Sequence, residues 1–273
     1  MDVYRLFKLM SDRSSHNKRI AKNTLFLYLR MGLVLVVSLF STRVVLQALD
    51  IEDYGINNVV SGFVTMFAFL NTSMSNGVQR FYNFSLGRKN GYSIKDVYNT
   101  ALQIQAILAV TLLVPLETFG MWYIHTQMVI PIDRFAAAQW VFQFSVLSLV
   151  LLVLQIPYSA AIMAYEKMDY YAYLSIFDVL AKLGIAYIIK YTTFDKLILY
   201  GALNMLVSLI CFFLYYGYAK SHFQDLKSDF IIRKQLFKPM LYFSGWNGFG
   251  SFAYMIKSQG LNMLLNVFFG PVV

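Results

Sequence analysis

Leu203-Asn-Met-Leu-Val-Ser-Leu-Ile-Cys-Phe-Phe-Leu-Tyr-Tyr216 carries no charged residue from end to end. Stretches of the same kind occupy 25–29, 31–40 and 146–154. Hydrophobic residues make up 58% of the 273-residue chain and charged residues only 14%, where a soluble domain carries about 25% charged residues. A water-facing fold could not cover its surface with so little charge. The runs are continuous rather than alternating, which excludes a transmembrane barrel, whose strands need only about 9–11 residues of alternating character. The reading is an all-α polytopic membrane protein.

Working outward from that stretch, seven apolar spans fall at about 24–48, 56–80, 97–123, 135–163, 170–190, 196–218 and 237–269. Most reach the roughly 20 residues that cross a hydrocarbon core as a helix. They divide the chain into a basic segment (1–22), a six-helix lobe (23–220), a polar loop (221–236) and a seventh helix (237–273) that would open a second lobe. If the N-terminus is inside, 16 of the 23 lysines and arginines fall on the inner side and 3 in outer loops. By the positive-inside rule this bias places the N-terminus in the cytoplasm. Val3, Leu6, Phe7 and Met10 recur at helical spacing, so the basic segment is either an interfacial helix or a basic tail. It lacks the short apolar core and small-residue cleavage site of a signal peptide. Tyrosines and tryptophans near span ends, such as Trp122, Tyr165, Tyr170 and Tyr218, form interfacial belts.

Catalytic signatures are missing. His16, His125 and His222 lie far apart in loops or at span edges. No zinc-protease, phosphate-loop or nucleophile-elbow pattern occurs. The single cysteine, Cys211, excludes a disulfide framework and any multi-cysteine metal site. No enzyme, cofactor or metal is expected. The net charge of +9 punctuates apolar runs instead of forming one basic patch, which points to topology and not to nucleic acid.

Ionisable groups inside spans carry the most information, because charge in hydrocarbon is costly and faces a cavity or a partner. Asp178 and Lys182 stand four apart on one face of the fifth span. Either they form an internal ion pair, or Lys182 lines a cavity with Asp178 as its charge partner. Arg30 and Arg43 stand about 140° apart around the first span, so both cannot enter one cavity from a straight helix. Either could instead snorkel to its nearer interface. Lys257 lies past the middle of the seventh span. That span also carries Gly245, Asn247, Gly248 and Gly250, which fit close packing or an unwound cavity-lining stretch. Pro157 predicts a kink in the fourth span. Four basic groups (Arg30, Arg43, Lys182, Lys257) against one acidic group (Asp178) describe a candidate cationic cavity that would attract an anion.

Several segments also resemble a known family. They are Asn23-Thr-Leu-Phe-Leu-Tyr-Leu-Arg30-Met, Glu52-Asp-Tyr-Gly-Ile-Asn-Asn-Val-Val60, Met74-Ser-Asn-Gly-Val-Gln-Arg80-Phe, Gln155-Ile-Pro157-Tyr-Ser-Ala-Ala, Gly245-Trp-Asn-Gly-Phe-Gly250 and Gly260-Leu-Asn-Met-Leu-Leu-Asn-Val-Phe-Phe-Gly-Pro271. They resemble Wzx-type lipid-linked oligosaccharide flippases of the multidrug/oligosaccharidyl-lipid/polysaccharide superfamily, over the first half of such a protein. The resemblance implies two lobes around a central cavity, with this chain supplying the first lobe and one further helix as a truncated product or fragment. It implies a protein of the bacterial inner membrane that moves undecaprenyl-diphosphate-linked repeat units between leaflets for cell-surface polysaccharide. Its expected partners are membrane lipid, the anionic lipid-linked oligosaccharide and other polysaccharide-assembly proteins. The alternatives are a cation-coupled multidrug or metabolite antiporter of the same superfamily, a membrane-bound glycan polymerase or ligase, and an inactive remnant.

Overall fold

The computed structural model describes the backbone of residues 3–65, 67, 69–87, 91–126, 130–226 and 234–269, with side chains described within 21–253 apart from 63, 65 and 234. Every regular element among them is helical. The α-helices are α1 (Val3–Thr65), α2 (Phe69–Leu86), α3 (Ile94–Pro115), α4 (Met121–Thr126), α5 (Phe135–Ala164), α6 (Met168–Lys190), α7 (Lys196–His222) and α8 (Lys234–Phe269). Five stretches among the described residues are long and apolar enough to cross a membrane: Ala21–Gly62, Ile94–Thr126, Ile132–Ala164, Met168–Lys190 and Lys196–His222.

The breaks have local causes. Asp50 alone, at φ 65° and ψ 169°, turns the chain between two arms of α1. That conformation is strained for any residue but glycine, and through it a single residue replaces the loop expected between the first two spans. The second expected span, 56–80, is shared between α1 and α2, and its later part is diluted by Asn71, Thr72, Ser73, Ser75 and Asn76. α3 runs to Pro115, which cannot donate to the ladder one turn back. The next turn, Leu116–Gly120, widens to a π-helix before α4 resumes, as happens where the hydrogen-bond ladder is interrupted. Ser93 and Asp96 form a reciprocal capping box at the start of α3. Asp195 caps α7 by accepting from the N–H groups of Leu197 and Ile198. Each cap satisfies donors that would otherwise be orphaned at a helix start.

α5 is the central helix, packed against α1, α2, α3, α6 and α7. Three apolar clusters hold the bundle. One joins Tyr82, Val97, Tyr98, Ile156, Ala219 and Met240. Another joins Val60, Leu116, Ile124, Phe142, Val153 and Leu197. The third joins α1, α6 and α7 through Leu49, Ala186, Ile189 and Val207.

The two ends of the bundle differ in chemistry. At one end the Arg134 guanidinium donates through Nε and Nη2 to Asp53, and through Nη1 to Asp195 at 2.7 Å. That clasp ties three separate connections together. At the other end Lys22 stands 3.9 Å from Asp169, Tyr165 stacks on Phe223, and Tyr170 stacks on Tyr218. Burial and the nearby Asp225 carboxylate raise the Tyr165 phenol above its ordinary value. The gathering of Asp53, Arg134 and Asp195 at one end is the arrangement that helices alternating in direction require.

Candidate functional site

A cavity of about 520 Å³ lies inside the helix bundle, walled by α1, α5, α6 and α7. Its wall is built from stripes of small and polar residues at three- and four-residue spacing. α7 contributes Tyr200, Asn204, Ser208, Cys211 and Tyr215, which recur on one helical face. α5 contributes Ser145, Ser148, Leu152 and Gln155 in the same manner. Most of these hydroxyls donate to their own helix: Ser145 to the Val141 carbonyl at 2.7 Å, Ser148 to Phe144 at 2.8 Å, Ser208 to Asn204 at 3.1 Å and Ser175 of α6 to Tyr171 at 2.9 Å. Their donors are occupied, so the charged side chains set what the cavity attracts.

Three charged residues line it: Arg30, Asp178 and Lys182. Lys182 Nζ donates to Asp178 Oδ2 at 2.8 Å within α6. This is the favourable order for a helical pair, acid one turn before base. Arg30 stands over the Tyr171 ring, its guanidinium carbon 4.8 Å from the ring centre. Its Nε is buried without a hydrogen-bond partner among the described residues. Since the α6 pair cancels itself, Arg30 leaves the cavity with one uncompensated positive charge.

Arg30 also lines a second, apolar groove of about 630 Å³ between α1 and α6, formed with Leu25, Phe26, Leu29, Leu33, Tyr173 and Ile176. Arg30 is therefore the residue shared at the seam between a polar cavity and an apolar one. Phe26 meets Tyr173 edge to face across that seam, with ring centres 6.1 Å apart.

The other candidates are placed elsewhere. Arg43 is exposed and lines neither cavity. Lys257 belongs to α8, but its side chain lies outside the described residues. Pro157 is buried and α5 continues through it, its carbonyl accepting from the Tyr82 hydroxyl at 3.3 Å. Gly248 packs on α2, where an added Cβ would come within 3.3 Å of Ser73 Oγ. Ser73 in turn donates to the Ser244 carbonyl at 2.6 Å. Gly77 faces Ser244 so closely that an added Cβ would displace the Ser244 hydroxyl. Ser73 and Gly77 against Ser244 and Gly248 thus form a small-residue seam, through which helices approach closely in membranes. Gly245 and Gly250 face open space, and Asn247 is half-buried.

Glu117 is a second acidic residue within the third span, so the balance of basic to acidic groups in the spans is four to two rather than four to one. It accepts from Gln143 Nε2 at 2.9 Å and lies outside the cavity. Among the described residues no group of three or more histidine, cysteine or acidic side chains could hold a metal ion.

No family model matches the sequence, and no curated protein matches it. Among solved structures, the chain is similar to a MOP superfamily transporter from Pyrococcus furiosus Vc1 (DSM3638), described as having a binding pocket whose reverse polarity suggests a different function. The TM-score is 0.70 at 13% identity, and the match covers 92% of this chain. The chain spans 57% of the length of that transporter. At that identity the likeness is one of fold: these helices are arranged as they are in part of a MOP superfamily transporter.

Proposed function

We propose that this chain is the first lobe of a membrane flippase that moves an anionic, undecaprenyl-diphosphate-linked oligosaccharide from the inner to the outer leaflet. The observation that carries this reading is Arg30. It is a cation inside an apolar lobe, facing a cavity, with no acid paired to it among the described residues. An unpaired charge in such a place is costly, and an anionic ligand would relieve that cost. The likeness to a MOP transporter fold supports a transport role. The segments around Arg30, Gly77 and Pro157, which resemble lipid-linked oligosaccharide flippases, support this class of substrate.

A cation-coupled antiporter of the same superfamily is the second reading, and it rests on Asp178, the carboxylate in the cavity wall. The engagement of Asp178 with Lys182 weighs against it, because a coupling cation would have to displace that ammonium. The test is export of surface polysaccharide by the full-length transporter in a bacterial host lacking its own exporter. Arg30→Gln should abolish export while membrane insertion stays intact. Normal export by that variant overturns the flippase reading. Cation-driven transport that is lost in Asp178→Asn and kept in Arg30→Gln would establish the antiporter instead.

A further inference from the structure

α8 lies antiparallel along α2, and the two helices keep one register over four levels. Phe69 packs on Phe252 with ring centres 5.4 Å apart. Ser73 faces Gly248 and Gly77 faces Ser244, and the Arg80 guanidinium stands 4.0 Å from the Phe243 ring centre. The first three levels are one helical turn apart on both helices. Two of these contacts are not tied to the register. The hydrogen bond across the seam runs from the Ser73 hydroxyl to a backbone carbonyl, that of Ser244, and every turn of α8 offers such a carbonyl. Arg80 rests on the ring faces of Phe84 and Phe243, a contact without directional hydrogen bonds. The Ser244 hydroxyl, by contrast, is unsatisfied where it stands. It is buried against Gly77 at 1% exposure and has no hydrogen-bond partner among the described residues. A buried hydroxyl left in that state is costly.

A shift of α8 by one turn, about 5.4 Å, toward the end that carries Asp53 and Arg134 removes that cost. It brings Ser244 level with Ser73, where hydroxyl meets hydroxyl. The Met240 carbonyl then stands where the Ser244 carbonyl stands now, ready to accept from Ser73. The larger side chains that enter the contact meet glycines: Met240 reaches Gly77, and Phe69 reaches Gly248. Behind them Leu236 takes the place of Met240 in the cluster that both line, so apolar replaces apolar. The opposite shift is blocked. It drives Ser244 toward Phe81, one turn past Gly77, and Phe252 onto Ser73, with no glycine to receive either ring. Packed helices with interlocking side chains move past one another by whole turns, not continuously. We infer that the α2–α8 seam is a one-turn ratchet, giving α8 a second register displaced toward the Arg134 end. Gly77 and Gly248 admit the displaced helix, and the Ser73–Ser244 hydroxyl pair holds it there. The ratchet does not depend on which ligand the chain carries, so it stands apart from the flippase reading.

Disulfide trapping in the full chain reads the register, with the protein in nanodiscs and Cys211→Ser removing the native thiol. Ser73→Cys with Gly248→Cys reports the present register, because a Cβ at residue 248 lies 3.9 Å from that of Ser73, within disulfide reach. Phe69→Cys with Gly248→Cys reports the displaced register, and Ser73→Cys with Phe252→Cys the blocked one. Both of these pairs are one turn out of contact at present, so simple flexing would trap them equally. After mild oxidation, mass spectrometry should find the present pair joined. The displaced pair should be trapped about tenfold more than the blocked pair, as overpacking in one direction alone implies. Ser244→Ala should lower the displaced cross-link severalfold and leave the present one unchanged, since the hydroxyl pair forms only after the shift. The present pair should still form in Phe69→Ala and Phe252→Ala chains, which shows that loss of either ring leaves the helices docked. Equal trapping of the displaced and blocked pairs overturns the ratchet. So does trapping of the present pair alone, and so does a displaced cross-link that ignores Ser244→Ala.

Discussion

Lys182 and Asp178 are joined at 2.8 Å across one turn of α6, and that pairing determines the electrostatics of the whole lobe cavity. Without it two cations would face one carboxylate across apolar walls. With it, two of the three charges are internally balanced and Arg30 is left to act alone. The pair is half-open to the cavity, Lys182 at 45% and Asp178 at 32% side-chain exposure. Its contribution to stability is therefore that of a screened pair, about 1 kcal/mol or less. Its effect on the charge of the site is one whole unit.

Asp178→Asn should accordingly change binding more than folding. The variant frees Lys182 and raises the cavity charge by one. An anionic ligand should bind about tenfold more tightly, as one added charge acting across about 10 Å at an effective dielectric near 20 implies. The melting temperature in detergent should move by only a few degrees. Equilibrium binding of a polyprenyl phosphate measures the first, and a thermal melt the second. Unchanged affinity together with a collapsed melt would show that the pair is structural.

The clasp at one end of the bundle behaves differently, because Asp53 is only 9% exposed and receives both arms of the fork from Arg134. Arg134→Gln leaves that carboxylate buried without its partner, which costs about 2–4 kcal/mol. Asp53→Asn in the same chain should recover part of the loss, since the uncompensated charge is then gone. A double-mutant cycle on thermal unfolding measures the coupling. Strictly additive losses would mean that the three connections are held by packing alone.

The seam between α2 and α8 offers a sharper steric test. Gly77→Val places a side chain where Ser244 already stands. Overpacking of this kind costs about 1–3 kcal/mol, read as a lower melting temperature. Gly245→Ala and Gly250→Ala project into open space and should be silent in the same assay. Equal effects at all three positions would remove the small-residue seam as the reason for glycine in α8.

Five of the expected spans, 24–48, 97–123, 135–163, 170–190 and 196–218, were legible because a charge-free run of membrane length is rarely anything but a helix that crosses a bilayer. The facing of Asp178 and Lys182 was legible from their spacing of four. The polar wall was harder to see. Asn204, Ser208, Cys211 and Tyr215 repeat within the stretch that establishes the helical reading, yet a serine in an apolar span equally bonds to its own helix, and several here do. The sequence could not separate Arg30 from Arg43 by function, because 140° between them says only that they diverge. Which one faces inward depends on how α1 docks against α6, and that is a tertiary fact. The turn at Asp50 was invisible for a similar reason: one residue at positive φ leaves no compositional trace.

Cys211, buried in the cavity wall at 7% exposure, reacts slowly with thiol reagents, and the ratio of its rates with reagents of opposite sign reports the cavity's charge. It is the single cysteine of the chain and lines the cavity with Asp178 and Lys182. Its reaction with small thiol reagents should therefore depend on the reagent's sign. An excess of one positive charge favours an anionic sulfonate reagent over a cationic ammonium reagent of similar size, by about tenfold for one charge at about 10 Å. Arg30→Gln should bring the ratio of the two rates back toward unity, and Asp178→Asn should push it further in favour of the anion. High salt should compress all three ratios only partly, because the charges lie behind protein walls that limit screening. Rates that ignore reagent sign, or that respond identically to both variants, would mean that Arg30 and the α6 pair do not share the space that Cys211 reports on, and the single-cavity description would fall with them.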